Sequence, residues 1–404
     1  MTAHTNLCHP IPGVLLSATA ARIRYQGRDD LALMALPAGA RCAAVFTRNA
    51  FRAAPVLVAQ RHLAVASPRY LLINSGNANA GTGEQGLADA AASCAALATL
   101  TGCRTEEVLP FSTGVIGESL PLAKLAAALP MALERLRETT WPAAARAIMT
   151  TDTLPKLATR RFTLAGGLAA VVSGMAKGAG MIRPDMATML AFLATDLAVD
   201  QALLQLCLRD AVETSFNAIT IDGDTSTNDA CVLAAAGTLG NDPLDDPESP
   251  DFLTLRAAVE AVCLELATAI VHDGEGVTKL VRVRVEAARD AVEARRVADT
   301  IAHSPLVKTA LFASDPNWGR ILAAVGRAEV DRLEIQAVRV WLDDLCIVSR
   351  GRRDPDYSEA AGQAIMAQSE IGIRVALGRG EAATEILTCD LSYDYVRINA
   401  EYRT

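Results

Sequence analysis

"KGAGMIRPDMATML", residues 177–190, sets a lysine among small flexible residues, follows it with a Pro-Asp turn, and ends in an apolar run that holds one hydroxyl, Thr188. As structure alone it reads as a Gly-rich turn leading into a buried strand, where threonine is common. As chemistry it reads differently. A threonine at the start of a chain carries both a hydroxyl nucleophile and an α-amine that can take its proton. That amine ordinarily titrates at about 7.7–8.0, well placed for a base near neutrality. An internal threonine gains the amine only when the bond before it is cut. Its own hydroxyl can do this by attacking the preceding carbonyl, an N-to-O acyl shift completed by water. Ala187 is small and leaves that carbonyl accessible. Residue types alone leave both readings open.

Working outward, 404 residues predict two domains, or one large one with a lobe. A hydrophobic content of 51% is enough for a sizeable core, and a net charge of −8 argues against a general nucleic-acid surface. Small anionic substrates remain compatible, because a local site can differ from the mean. Nine scattered cysteines form no CxxC pair, and with only five histidines no metal centre is expected. Free, mostly buried thiols in a reducing cytosol fit that pattern. The first residues lack a basic n-region, and no uncharged run is long enough for a credible spanning helix. A cytoplasmic protein without a membrane segment is the expectation.

The pattern along the chain is α/β or α+β. "LALMAL", "RCAAVFT" and "RYLLINSGNANAG" read as strands, the last running into a Gly/Asn/Ser loop. Residues 86–100 have helical spacing. Thr140 is placed to cap the helix that begins "WPAAARA", and Asp200 the helix "QALLQLCLRDAVETSF". An acidic, proline-rich loop at 242–251 leads into an amphipathic helix ending near Ile270, and "KLVRVRVEAA" alternates as a half-buried strand. "AVRVWLDDLCIVS" and "IGIRVALG" read as strands, and "RDPDYSEAAGQAI" as a turn entering a helix, so the C-terminal part can hold a smaller lobe.

Four more stretches carry polar side chains in loop-forming context. "FSTGVIGESL", 111–120, combines a hydroxyl with Gly turns whose N–H groups could hold an oxyanion; an ordinary strand-to-helix loop explains it equally. "VHDGEGVTKL", 271–280, crowds His272, Asp273, Glu275 and Lys279 around two glycines, as a solvated turn or as a carboxylate held for an ammonium group. "ITIDGDTSTND", 219–229, fails the calcium-loop rule, with Thr227 where glycine is needed and Leu233 where the bidentate Glu belongs. A turn rich in side-chain-to-backbone bonds fits it better. "ASDPNWGRI", 313–321, is a turn into a helix with Asn317 as a cap. That stretch holds no dinucleotide fingerprint, and the chain has no Walker A or GxSxG pattern.

Together, "STGVIG", "SGMAKGAGMIRPDMATMLAFLATD", "SFNAITIDGDTSTND", "HDGEGVTK" and "DPNWGRI" occur in the order of one family. The chain strongly resembles the ornithine acetyltransferases, the glutamate N-acetyltransferases of arginine biosynthesis, from about "IPGVLLSATAARIR" to "RINAEYRT". The resemblance implies self-cleavage between Ala187 and Thr188, giving an α chain (1–187) and a β chain (188–404) that share one αββα sandwich, with a smaller lobe within about 288–390. It implies Thr188 as nucleophile, Thr113 and Gly114 as oxyanion hole, and Thr151, Lys177, Thr188, Glu275, Asn399 and Thr404 as substrate-binding positions. Lys177 would supply a cation for a carboxylate, and Glu275 would bind an ammonium or steer protons. The implied reaction is ping-pong transfer of acetyl from N2-acetylornithine to glutamate, with no metal or bound cofactor, acetyl-CoA as a second donor in the bifunctional form, and a dimer of αβ units. Arg183, Asp185 and Ala179 depart from the His, Asn and Ser frequent in the family. Three alternatives stand beside this reading: a self-cleaving aminopeptidase or amidase of related fold, a paralogous acetyltransferase of a specialised pathway, and an uncut binding protein.

Overall fold

The computed structural model describes residues 8–183 and 189–401. The chain divides into two compact units, Met1–Asn217 with Asp224–Ile270, and Ala218–Gly223 with Val271–Thr404.

The first unit begins with strands β1 (Leu15–Thr19), β2 (Leu31–Ala35) and β3 (Arg41–Phe46), helix α1 (Ala54–Leu63) and strand β4 (Tyr70–Asn77). Helix α2 (Gly83–Thr101), strand β5 (Val108–Val115) and helices α3 (Leu122–Glu134) and α4 (Trp141–Ala147) follow. Strands β6 (Lys156–Thr163), β7 (Ala169–Lys177) and β8 (Leu190–Thr195), helix α5 (Gln201–Thr214), strand β9 (Ala230–Ala235) and helix α6 (Pro250–His272), as far as Ile270, complete it.

Two sheets form, with strand orders β1-β2-β4-β5 and β3-β9-β8-β7-β6. Apart from the edge strands β3 and β6 their strands are buried nearly throughout, which is why β2 and β8 read as continuous apolar runs rather than alternating ones. One apolar layer joins the inner faces: Leu16, Met34, Ile73 and Phe111 of the first sheet meet Met175, Phe192, Ala194 and Val232 of the second. Phe111 and Phe192 meet edge to face with centroids 5.0 Å apart, a favoured aromatic geometry. On the outer side of the first sheet, Leu31, Leu33, Leu72 and Val108 pack with Val58 of α1, Leu97 of α2 and Leu129 of α3. Behind the second sheet, Gly174 lies so close to Val262 and Leu266 of α6 that an added Cβ would come within about 3.1–3.2 Å of them. This is the expected helix–sheet–sheet–helix layering.

The second unit contains β10 (Leu280–Ala288), α7 (Ala291–Ala302), α8 (Pro305–Phe312), α9 (Trp318–Gly326), β11 (Arg339–Leu342), β12 (Leu345–Ser349) and β13 (Arg352–Arg353). It ends with α10 (Glu359–Met366), β14 (Glu370–Ala376), β15 (Ala382–Cys389) and α11 (Tyr393–Glu401). Its sheet has the order β13-β12-β11-β14-β10-β15, over a core built from β10, β14 and helices α7 to α9. "AVRVWLDDLCIVS", read above as a strand, is a hairpin of two. Asp343 at its turn has φ +46° and its side chain accepts from Gly372 N at 2.7 Å, so a hydrogen bond to the neighbouring strand sets the break.

The predicted caps form at Asp200, whose side chain accepts from Ala202 N at 2.8 Å, and at Asn317, which accepts from Arg320 N at 3.2 Å. Thr140 occupies the N-cap position of α4 without a side-chain cap bond. All nine cysteines are free and six are buried, and burial pushes the Cys42, Cys94 and Cys207 thiols up to about 12. Among the described residues, no helix is long and apolar enough to cross a membrane.

Candidate active site

β5 ends in Ser112-Thr113-Gly114-Val115, parallel to β4, with Gly76 opposite Gly114. The register shifts there, so that Asn77 opposes both Thr113 and Val115. Gly114 has φ +135°, and a Cβ on it would sit 2.3 Å from the Gly76 carbonyl carbon and 2.6 Å from Asn77 N. Only glycine fits this crossing. The following loop is held by Asn77 Nδ2, which donates to the carbonyls of Glu118 and Ser119 at 3.1 Å each. Thr113 is thus presented from a strand end fixed on both sides.

Lys177, the last residue of β7, is buried, and its Nζ donates to Thr113 Oγ1 at 3.2 Å. A hydroxyl oxygen that accepts from an ammonium keeps its own hydrogen for a different acceptor. Beneath this pair lies Asp152, in the turn that also carries the half-buried Thr151. Asp152 Oδ1 accepts from Lys156 Nζ at 2.6 Å and from Gly178 N at 2.7 Å, and Oδ2 from Thr150 N at 3.0 Å. Burial works against the charged carboxylate. The Lys177 and Lys156 ammonium groups, with the hydrogen bonds from Lys156 and Gly178, outweigh it and hold Asp152 well below the ordinary range.

Ala187 and Thr188 lie outside the described residues, as do Asp185 and Thr404. The residues on either side of 184–188 are tied to one block. Ile182 bridges Thr225, and Thr225 Oγ1 donates to the Arg183 carbonyl at 3.2 Å. On the other side, Ala230 N donates to the Met189 carbonyl at 3.0 Å. The block is "DGDTSTNDA", 222–230, expected up to Asp229 as a turn with local bonds. Its bonds reach further. Asn228 Nδ2 donates to the carbonyls of Ala78 and Ser112 at 2.6 and 2.9 Å, while its Oδ1 accepts from Thr227 Oγ1 at 2.7 Å. Asn228 therefore connects the residue before Thr113 to the strand beside residue 189. Asp229 is also buried. Burial pushes its carboxyl well above the ordinary range, opposed by hydrogen bonds with Ser226 and by the Lys177 charge. Its Oδ2 has no hydrogen-bond partner among the described residues.

In the second unit, Asn399 Nδ2 donates to Glu275 Oε2 at 2.7 Å, joining two of the expected substrate positions. The glycines flanking Glu275 serve different needs. Gly276 has φ +68°, and a Cβ there would meet Tyr395 N at 2.5 Å; Gly274 leaves room for Val277. Lys279 turns inward, donating to Ser314 Oγ at 2.9 Å and to the Met366 carbonyl at 2.5 Å. His272 faces Glu370 at 4.0 Å. Both belong to the structure of this unit rather than to a cluster around Glu275.

Sequence reasoning missed Asp152, Lys156, Asn228 and Asp229. The signal for Asp152 was adjacency: it follows Thr151 in "MTTDT" and stands four residues before Lys156. Ala179, one of the departures, is fully buried, and Arg183 is exposed.

The sequence profile of the ArgJ family matches residues 15–404. The chain is 61% identical over 398 residues to the arginine biosynthesis bifunctional protein ArgJ of Methylococcus capsulatus, covering 98% of this chain and 97% of that protein. It is 53% identical over 396 residues to the protein of the same name from Pseudomonas syringae pv. tomato, with the same coverage of 98% and 97%. Among solved structures, it is similar to the arginine biosynthesis bifunctional protein ArgJ from Bacillus halodurans. That match has 38% identity and a TM-score of 0.49, over 52% of this chain and 97% of that one.

Proposed function

The chain belongs to the ArgJ family, and from that premise we propose that it transfers acetyl from N2-acetylornithine to glutamate by a ping-pong route through an acetyl-threonine ester. The observation that carries the reading is the contact of Lys177 with Thr113 beside Gly114, at a strand end tied through Asn228 to the block that grips residues 183 and 189.

In the precursor, the Thr188 hydroxyl attacks the Ala187 carbonyl; the C–N bond breaks and an ester forms. Water hydrolyses the ester, leaving Thr188 with a free α-amine. In turnover, that amine takes the hydroxyl proton as Oγ1 attacks the acetyl carbonyl of N2-acetylornithine. The oxyanion is received by the Thr113 hydroxyl and the Gly114 N–H. Collapse expels ornithine, whose nitrogen leaves with the proton held by the amine. The amine of glutamate then attacks the ester and leaves as N-acetylglutamate, returning the hydroxyl to Thr188. Lys177 and Thr151 bind substrate on the first unit; Glu275, Asn399 and Thr404 are the remaining substrate positions. Acetyl-CoA serves as a second acetyl donor, consistent with the word bifunctional in the relatives' names. The cut chains form αβ units that pair as dimers.

A denaturing intact-mass spectrum of fresh protein tests the first step, with two species expected, one beginning at Thr188. Incubation with N2-acetylornithine alone should then add one acetyl group to that species, and glutamate should remove it. Full-length, unacetylated protein under both conditions would refute the proposal.

A further inference from the structure

The buried charges around Thr113 are unequal. Lys156 and Lys177 are both buried, and both charges act on Asp152, whose side chain is fully buried. An isolated Asp152–Lys156 pair at i,i+4 would need no more than one carboxylate oxygen. Here the same Oδ1 also takes the N–H of Gly178, the residue that follows Lys177. Gly178 is at φ +155°, packed so that a Cβ would meet Ile182 at 3.0 Å. The main chain next to Lys177 is therefore fixed by the same atom that binds Lys156. Both lysine charges act on Asp152, Lys156 through a direct hydrogen bond as well.

We propose that Asp152 is a positioning residue for the transfer reaction: it clamps the chain at Gly178 and balances the Lys177 ammonium, so that Lys177 reaches Thr113 Oγ1 as a donor and leaves the Thr113 hydrogen for the oxyanion. The inference rests on the reading of Thr113 as an oxyanion donor. Asp152 touches neither substrate nor the reacting atoms and acts through Lys177. The charged and titratable groups around this pair come from several elements. The Lys177 charge acts on Asp152 in the turn before β6 and on Asp229 before β9, and Lys156 on β6 acts on the same Asp152. Asp152 also interacts with Tyr25, whose ring lies 3.9 Å beneath the Arg28 guanidinium. Without Asp152, two buried ammonium groups would share one site, and the cheaper state is for one of them to lose its proton.

The chain has only five lysines, at 124, 156, 177, 279 and 308, so lysine side-chain NMR yields five resolvable signals. The test is a pH titration of the Lys177 signal in wild type, Asp152→Asn and Asp152→Asn/Lys156→Met. The midpoint should fall by about 1–3 pH units in Asp152→Asn and recover part of that shift in the double variant, which lacks the second ammonium. In acetyl transfer, the alkaline limb of kcat/KM should move in the same order. Coincident Lys177 midpoints in wild type and Asp152→Asn would overturn the proposal and leave Asp152 a merely structural partner of Lys156. If Asp152→Asn does not fold, the double variant removes the buried pair as a whole, which proteins often tolerate. Its Lys177 midpoint then decides: below wild type supports the proposal, equal to it overturns it. Should Thr113→Ala turn over like wild type, the oxyanion reading falls instead, and the NMR midpoints still report whether Asp152 holds Lys177.

Discussion

Thr113 and Gly114 are neighbours with opposite tolerance to change. Thr113→Ala removes a hydroxyl and keeps the backbone, so it should fold normally and slow turnover by roughly 10²–10³-fold if it donates to the oxyanion; single-turnover acetylation with N2-acetylornithine measures this. Gly114→Ala adds one carbon where Gly76 stands 2.3 Å away, at a φ that L-residues avoid. That variant should lose stability and activity together, seen as a lower denaturation midpoint beside the lost turnover. Asp229 gives a pH signature. Its folded-state carboxyl titrates well above its unfolded value, so the native state binds the extra proton. Stability from this residue is therefore full at acid pH and declines as pH rises from about 4 toward the folded value. Asp229→Asn removes the titration. The stability gap between wild type and this variant should shift in the variant's favour as urea midpoints are compared from pH 5 to pH 8. A constant gap would show that Asp229 is ionised in the native protein.

Elements that can be read from their own residues were legible in the sequence; contacts between distant elements were not. Asp200 and Asn317 cap helices because the donor lies two or three residues away, within the window a sequence pattern covers. β10 alternates because one of its faces is exposed. The hairpin of β11 and β12 was missed because its break depends on Gly372, 29 residues past Asp343. The site divides the same way. Thr113, Gly114 and Lys177 stand in distinctive local motifs, whereas Asn228 works through carbonyls 116 and 150 residues away. Asn228→Ala would orphan the Ala78 and Ser112 carbonyls inside the unit. It should cost more than the loss of one exposed cap such as Asp200, at about 1–3 kcal/mol for each buried group left unmade. It should also depress turnover, since Ser112 leads into Thr113. Paired urea denaturation of Asn228→Ala and Asp200→Ala checks the first claim, and an acetyl-transfer assay the second.

For the whole molecule, the consequence of a cut after Ala187 is set by the second sheet, whose order is β3-β9-β8-β7-β6. β3, β7 and β6 precede the proposed cut; β8 and β9 follow it. Two seams in that sheet would join the two chains: β7 with β8, antiparallel from Val172–Thr195 to Lys177–Leu190, and β3 with β9, antiparallel from Arg41–Ala235 to Phe46–Ala230. The C-terminal chain would hold the middle pair of strands and the N-terminal chain both sides of it. The shared apolar layer adds residues from both chains, Phe111 on one and Phe192 on the other. Neither chain can leave without exposing paired strands and that layer, so cleavage would not release a fragment. Native mass spectrometry should find the α and β chains together in equal number, and denaturant should separate them in a single cooperative step. Thr188→Ala should run as one uncut chain in denaturant yet show the same native assembly as wild type, because the strands pair before the bond is broken. If wild type instead shed its N-terminal chain in native buffer, the β7–β8 and β3–β9 seams would not be what holds the cut enzyme together.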